Sequence, residues 1–199
     1  ALRLDCRTGA VEQVPIDLDA AGLALLVIDT RAKHSLVDGQ YGARRASCER
    51  SARVLGVDLL ADVPPGELGA HLTRLSGSGE ADADELVGRT RHVVTEIERT
   101  RRLVALLRDD RPLAGAKLEE VGALMDASHD SLRDDYECTC PELDTAVEAA
   151  RAAGAHGARM TGGGFGGSAI ALIDATAAGA VARAVVDAYA ETGFAAPAF

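Results

Sequence analysis

Met160-Thr161-Gly162-Gly163-Gly164-Phe165-Gly166-Gly167-Ser168 runs directly into the apolar stretch Ala169-Ile170-Ala171-Leu172-Ile173. Five of the nine leading residues are glycine. Glycine loses the most backbone entropy on folding, so such a cluster needs a geometric reason. Gly162, Gly164 and Gly167 satisfy G-x-G-x-x-G, but that dinucleotide fingerprint requires a helix after it. Ser168 to Ile173 reads as a strand, so the glycines join two strands. No Gly-Lys-Ser/Thr follows, which excludes a Walker P-loop. Two readings stay open. One is a tight hairpin with positive-φ glycines. The other is a loop whose bare N–H groups approach a phosphate or a sugar. The loop is longer than a hairpin requires, and Phe165 in its middle points to packing.

Working outward, Pro141 opens a helix with Glu142 and Asp144 in its first turn, and the helix ends near Gly154. Helical periodicity covers about Ala116–Leu132 and Glu85–Leu107. Breaker clusters at Pro64-Pro65-Gly66 and Ser76-Gly77-Ser78-Gly79 flank a short helix over Leu68–Leu75. A turn at Gly39–Tyr41 leads into a helix over Ala43–Leu55, closed by Gly56. The continuous apolar run Leu23–Ile28 predicts a central strand buried on both faces. Residues 2–6 alternate as a half-buried strand does. After the glycine loop, Asp174 or Thr176 is the expected cap of a last helix over Ala177–Tyr189, and Ala195–Phe199 starts a further strand. Strands at both ends with helices between them predict an α+β fold.

The chain has 199 residues, 47% of them apolar and only 3% aromatic, so the core must be aliphatic. A formal net charge of −10 argues against nucleic acid or an anionic membrane as a partner. The spacings of Cys6, Cys48, Cys138 and Cys140 match neither a zinc site nor a disulfide scaffold, and no two histidines stand at i,i+4. Cys138-Thr139-Cys140 reads as two reduced thiols. With no leader or spanning segment visible, the expectation is a soluble cytoplasmic protein. Both ends read as cut from something longer.

Arg159-Met160-Thr161-Gly162-Gly163-Gly164-Phe165-Gly166-Gly167 resembles the third motif of the GHMP small-molecule kinases, in its galactokinase form. The likeness extends upstream to Leu124–His129, Ser131–Glu137 and Pro141–Asp144. It also takes in Arg91–Glu96, His34–Val37, Tyr41–Arg45 and Cys48-Glu49. Ser168 stands where the family often has cysteine, and Ile97 where it often has asparagine. The resemblance implies a ferredoxin-like core of antiparallel or mixed sheet with a helical insert. It places residues 1–20 at the end of an N-terminal kinase domain and residues 21–199 in a C-terminal domain cut at its last strand.

The implied reaction turns ATP and galactose into galactose 1-phosphate and ADP. Tyr41 matches the family's sugar-contacting tyrosine. Gly162, Gly163, Gly164, Phe165, Gly166 and Gly167 would line the pocket beside the sugar and the transferring phosphoryl group. No catalytic or metal-binding residue is expected in this chain. The family's catalytic base, phosphate loop and Mg2+ ligands belong to an N-terminal lobe, so the chain alone would be inactive. Arg159, Arg44 and Arg45 read as salt-bridged or solvated, and His129 as structural. Three further readings compete: a silent galactose and ATP sensor, a kinase for a related sugar such as N-acetylgalactosamine, and a plain α+β domain with a decorative hairpin.

Overall fold

The computed structural model describes residues 1–32 and 37–199; His34, Ser35 and Leu36, quoted above, lie outside the described residues. A small hairpin comes first, with β1 (Leu2–Leu4) antiparallel to β2 (Val11–Gln13). The main sheet follows the order β3 (Leu23–Asp29), β5 (Ser168–Asp174), β4 (Gly157–Thr161), antiparallel throughout. Its helices are α1 (Val37–Leu55), α2 (Leu68–Ser76), α3 (Ala83–Arg108), α4 (Gly115–Asp134), α5 (Pro141–Ala152) and α6 (Ala178–Thr192). The fold is α+β, as the order of the sequence elements predicts.

Alternation along the strands divides the sheet into two faces. Ala24, Leu26 and Ile28 pair across to Ile173, Ala171 and Ala169. With Ala158 and Met160 of β4 they meet Leu143, Ala146, Val147 and Ala150 of α5 and Val181, Val185 and Tyr189 of α6. Small residues on the strands let these two helices sit close, which suits a core short of aromatic rings. The opposite face packs Leu23 and Leu172 against Leu106, Leu118, Val121 and Met125 of α3 and α4. A separate helical core joins Ala52 and Leu55 of α1, Leu75 of α2, and Leu86 and Val94 of α3.

Three expectations need correction. The apolar run at 23–29 is not central: β5 holds that place, and β3 pairs along one side only, apart from a single bridge from Asp29 to Ala198. Its second face is half open, with Leu25 and Val27 exposed. Helix α1 starts at Val37 rather than Ala43, so Gly39 and Tyr41 lie within it. Two glycines, each about 1 kcal/mol worse than alanine, hide that start in the sequence. Neither Asp174 nor Thr176 caps α6. A single 3-10 turn, Ala175–Ala177, comes first, and the Asp174 carboxylate instead meets His156 Nε2 at 3.0 Å. No helix among the described residues is long and apolar enough to cross a membrane.

Candidate functional site

Strands β4 and β5 join through Gly162–Gly167, and the loop is held at three points. The Phe165 N–H donates to the Cys138 carbonyl at 2.7 Å. Gly164 passes so close to that carbonyl that a Cβ would lie 2.1 Å from its oxygen. At the other end, the backbone N–H and hydroxyl of Thr30 both donate to the Gly167 carbonyl, at 3.0 and 2.6 Å. Thr30 is buried. The third hold is the Arg44 guanidinium, 5.4 Å above the Phe165 ring centroid. Gly164 and Gly166 are consequently buried, while Gly162 and Gly163 face solvent.

Arg44 also fastens the site to the α4–α5 connection. Its Nε donates to the Tyr136 carbonyl at 3.1 Å and its Nη2 to the Glu137 carbonyl at 2.6 Å. The sequence reading made Arg44 a salt-bridged or solvated side chain. The structure makes it a clamp that ties α1 to two loops, whereas its neighbour Arg45 does pair with Glu49. Tyr41 lies three residues before Arg44 on the same helix, with its side chain largely exposed. The fold thus brings the Tyr41 helix and the glycine loop together through one guanidinium. Tyr41 is also near enough to Tyr136 to help, after burial and the Cys48 and Cys138 thiols, to raise the Tyr136 phenol above its usual range.

Among the described residues only three non-glycines have positive φ: Arg31 (+53°), Glu137 (+52°) and Phe165 (+60°). All three surround this loop. Phe165 is inside it. Glu137 precedes the carbonyl that holds it, and Arg31 follows the threonine that holds it. Each such position costs about 1–3 kcal/mol, and strain of this kind gathers at functional sites.

A buried cation behind the loop escaped the sequence reading. Arg89 of α3 is 2% exposed; it donates to the Asp135 carbonyl and, at 2.7 Å, to Glu137 Oε2. It holds the connection on which the loop rests. The available signal was Gly88 beside it, where a Cβ would stand 2.9 Å from the Asp135 carbonyl. Nearby, His92 Nδ1 meets Ser131 Oγ at 3.0 Å, and burial lowers the His92 pKa to about 4 despite the Glu96 and Asp135 carboxylates. His129 is structural: its buried Nδ1 accepts the Met160 N–H at 3.2 Å. Arg159 pairs with Glu96 at 3.3 Å. All four cysteines are free, and burial pushes the thiols of Cys138 and Cys140 up to about 11, so both stay protonated at neutral pH. Among the described residues no three His, Cys, Asp or Glu side chains stand together as a metal ion would need.

Residues 103–191 match the family described as GHMP kinases C terminal. That segment, fewer than half of the residues, is similar to the C-terminal domain of the GHMP kinases. It is 52% identical over 197 residues to the galactokinase of Streptomyces coelicolor, covering 99% of this chain and 48% of that protein. Against the human galactokinase the identity is 42% over 193 residues, covering 96% and 45%. The crystal structure of Lactococcus lactis galactokinase complexed with galactose superposes with a TM-score of 0.85 at 33% identity, covering 99% of this chain and 48% of that one. The chain thus spans about half the length of the relatives it matches. The matched GHMP segment takes in α4, α5, β4, the glycine loop, β5 and nearly all of α6. It leaves out α1, and with it Tyr41 and Arg44. Those two residues fall instead in the stretch that the galactokinases share with this chain.

Proposed function

We propose that this chain is the C-terminal portion of a galactokinase that moves the γ-phosphate of ATP to the 1-hydroxyl of galactose. The observation that carries this reading is the glycine loop itself. It is fastened by Cys138, Thr30 and Arg44 against the helix of Tyr41, in a chain that resembles galactokinases from end to end. Residues 1–20 would close the N-terminal kinase domain and residues 21–199 form the C-terminal one.

In this reading Tyr41 offers its hydroxyl to the sugar and its flat ring to a sugar edge. Gly162 and Gly163 present exposed N–H groups with no side chain to keep an anion away. Among the described residues, neither N–H donates to another backbone carbonyl. Alternate glycines at φ +88° (Gly162) and +84° (Gly164), either side of Gly163, suit a concave row of donors. Phosphoryl transfer depends on positioning and charge stabilisation more than on covalent help from the protein. The galactose oxygen bonds to phosphorus as the bond to ADP breaks, and the hydroxyl proton leaves to a base.

In the same reading the catalytic base, the magnesium ligands and the nucleotide cradle lie in the N-terminal lobe of a full-length kinase that acts in the cytoplasm. A coupled ADP-release assay tests the reading. The full-length protein should turn over with galactose and ATP, and the 199-residue chain alone should not. Turnover by the chain alone would overturn the division of labour. A full-length protein that binds galactose and ATP without turnover would favour a sensor instead. Tyr41→Phe should weaken galactose binding by about 0.5–1.5 kcal/mol, the worth of one neutral hydrogen bond. An unchanged galactose KM would remove Tyr41 from the pocket.

A further inference from the structure

Of the three strained non-glycine residues around the loop, two have evident reasons for their conformation. Phe165 places its N–H on Cys138 and its ring beneath Arg44. Glu137 gives its carbonyl to Arg44 and its carboxylate to Arg89. Arg31 is different. Its N–H donates to Asp29 Oδ1 at 3.0 Å, which accounts for the turn but not for the side chain. Glycine would adopt φ +53° without strain, and asparagine with little. An arginine there costs stability, and among the described residues its guanidinium has no carboxylate within ion-pair distance. The residue is exposed. Yet its backbone is fixed, because the neighbouring Thr30 is buried and bonded twice to Gly167, the last glycine of the loop. A permanent cation is thus anchored, through Thr30, next to the last glycine of the loop, and among the described residues no hydrogen bond of its guanidinium is found.

We propose that Arg31 contacts substrate in the same pocket, its guanidinium binding a phosphate oxygen of the nucleotide or of the sugar phosphate. This rests on the galactokinase reading for the identity of the ligand, but not for its chemistry: planar, always-charged arginine is suited to phosphate oxygens.

The test uses the full-length protein and three variants. Arg31→Gln keeps the strained position and removes the charge, Arg31→Lys keeps the charge, and Arg31→Gly removes both charge and strain. We expect Arg31→Gln to raise the KM for ATP, or to weaken galactose 1-phosphate binding, about threefold to tenfold while the galactose KM holds. Lysine should recover part of the loss. Arg31→Gly should lose as much binding as Arg31→Gln, with a Tm at or above that of the unaltered protein. A change confined to ATP assigns Arg31 to the nucleotide, and one confined to galactose 1-phosphate assigns it to the product; either supports the proposal. Arg31→Gln matching the unaltered protein in both constants overturns it. If the unaltered protein phosphorylates no galactose, calorimetric titration with inorganic pyrophosphate decides instead. Binding that is lost in Arg31→Gln upholds Arg31 although the galactokinase reading fails. Equal binding, or none to the unaltered protein, overturns Arg31 as well.

Discussion

Gly122 and Gly157 meet where α4 crosses β4, and Gly162 to Gly167 turn the far end of that same strand. At the first place the glycines have ordinary backbone angles and no room. A Cβ on Gly122 would lie 1.7 Å from the His156 carbonyl oxygen, and one on Gly157 would lie 2.6 Å from the Gly122 Cα. At the second place the reverse holds for the outward pair. A Cβ on Gly162 or Gly163 meets nothing within 4 Å, and Gly162 is there for its φ of +88°. Gly164 combines both constraints, with φ +84° and the Cys138 carbonyl against it. The two regions teach that glycine is used in this fold for close packing at the α4–β4 contact, and for backbone shape with an open outer surface at the loop.

Single alanines separate the two uses. Gly122→Ala should do the most damage, about 3 kcal/mol or more, because backbone must move to admit the methyl group and the α4–β4 packing goes with it. A chemical-denaturation midpoint close to that of the unaltered chain would show that the contact is looser than described. Gly164→Ala should cost about 2 kcal/mol, through the αL position and the lost approach to Cys138. Gly162→Ala should cost less, about 1 kcal/mol, from conformation alone; equal costs at 162 and 164 would deny any packing role to Gly164.

Acid probes the wall behind the loop. His92 has a folded pKa of about 4, lowered by burial first, against an ordinary value of 6.5. The unfolded chain then binds the extra proton between those two values. The stability that comes from neutral His92 is fully present above about pH 6.5 and is lost as pH falls toward 4. His92→Gln should flatten that part of the stability–pH curve, and an unflattened curve would place the acid sensitivity elsewhere. The smallest structural effect is expected of Gly163→Ala, within about 0.5 kcal/mol, since neither angle nor space opposes it. That makes it the sharpest probe of the surface. A fall in phosphotransfer without loss of stability would show a ligand passing over residue 163, and unchanged kinetics would place the ligand elsewhere on the loop.

Much of this was legible in the chain. The strand–glycines–strand order at 157–174, the Pro141 helix and the long periodic helices at 83–108 and 115–134 stand where pattern and breakers put them. Local chemistry decides those features: the 2.0 and 3.6 periods, proline at a helix start, and a terminal glycine such as Gly56 at φ +71°. The resemblance drew attention to Tyr41 and the loop, but not to what joins them. Arg44 bonds carbonyls 92 and 93 residues away, Arg89 reaches Glu137 across 48, and Thr30 reaches Gly167 across 137. An arginine bound to a carbonyl looks in sequence like any surface arginine, because a carbonyl belongs to every residue and leaves no mark. The burial of β3 misled for a related reason, since an apolar run does not say how many of its faces find a neighbour.

The sequence by itself determined most of the helices and the strand at 168–174, though not the short strand at 11–13, and the further strand it put at Ala195–Phe199 is only a single bridge at Ala198; it also determined that a stretch without side chains would lie between two strands. Those outcomes follow from short-range sterics and from the spacing of apolar residues. Only the tertiary structure decided which glycines are crowded and which are open, which arginine is a clamp, and where strain collects. These depend on distances between parts of the chain far apart in sequence, and folding alone sets those distances.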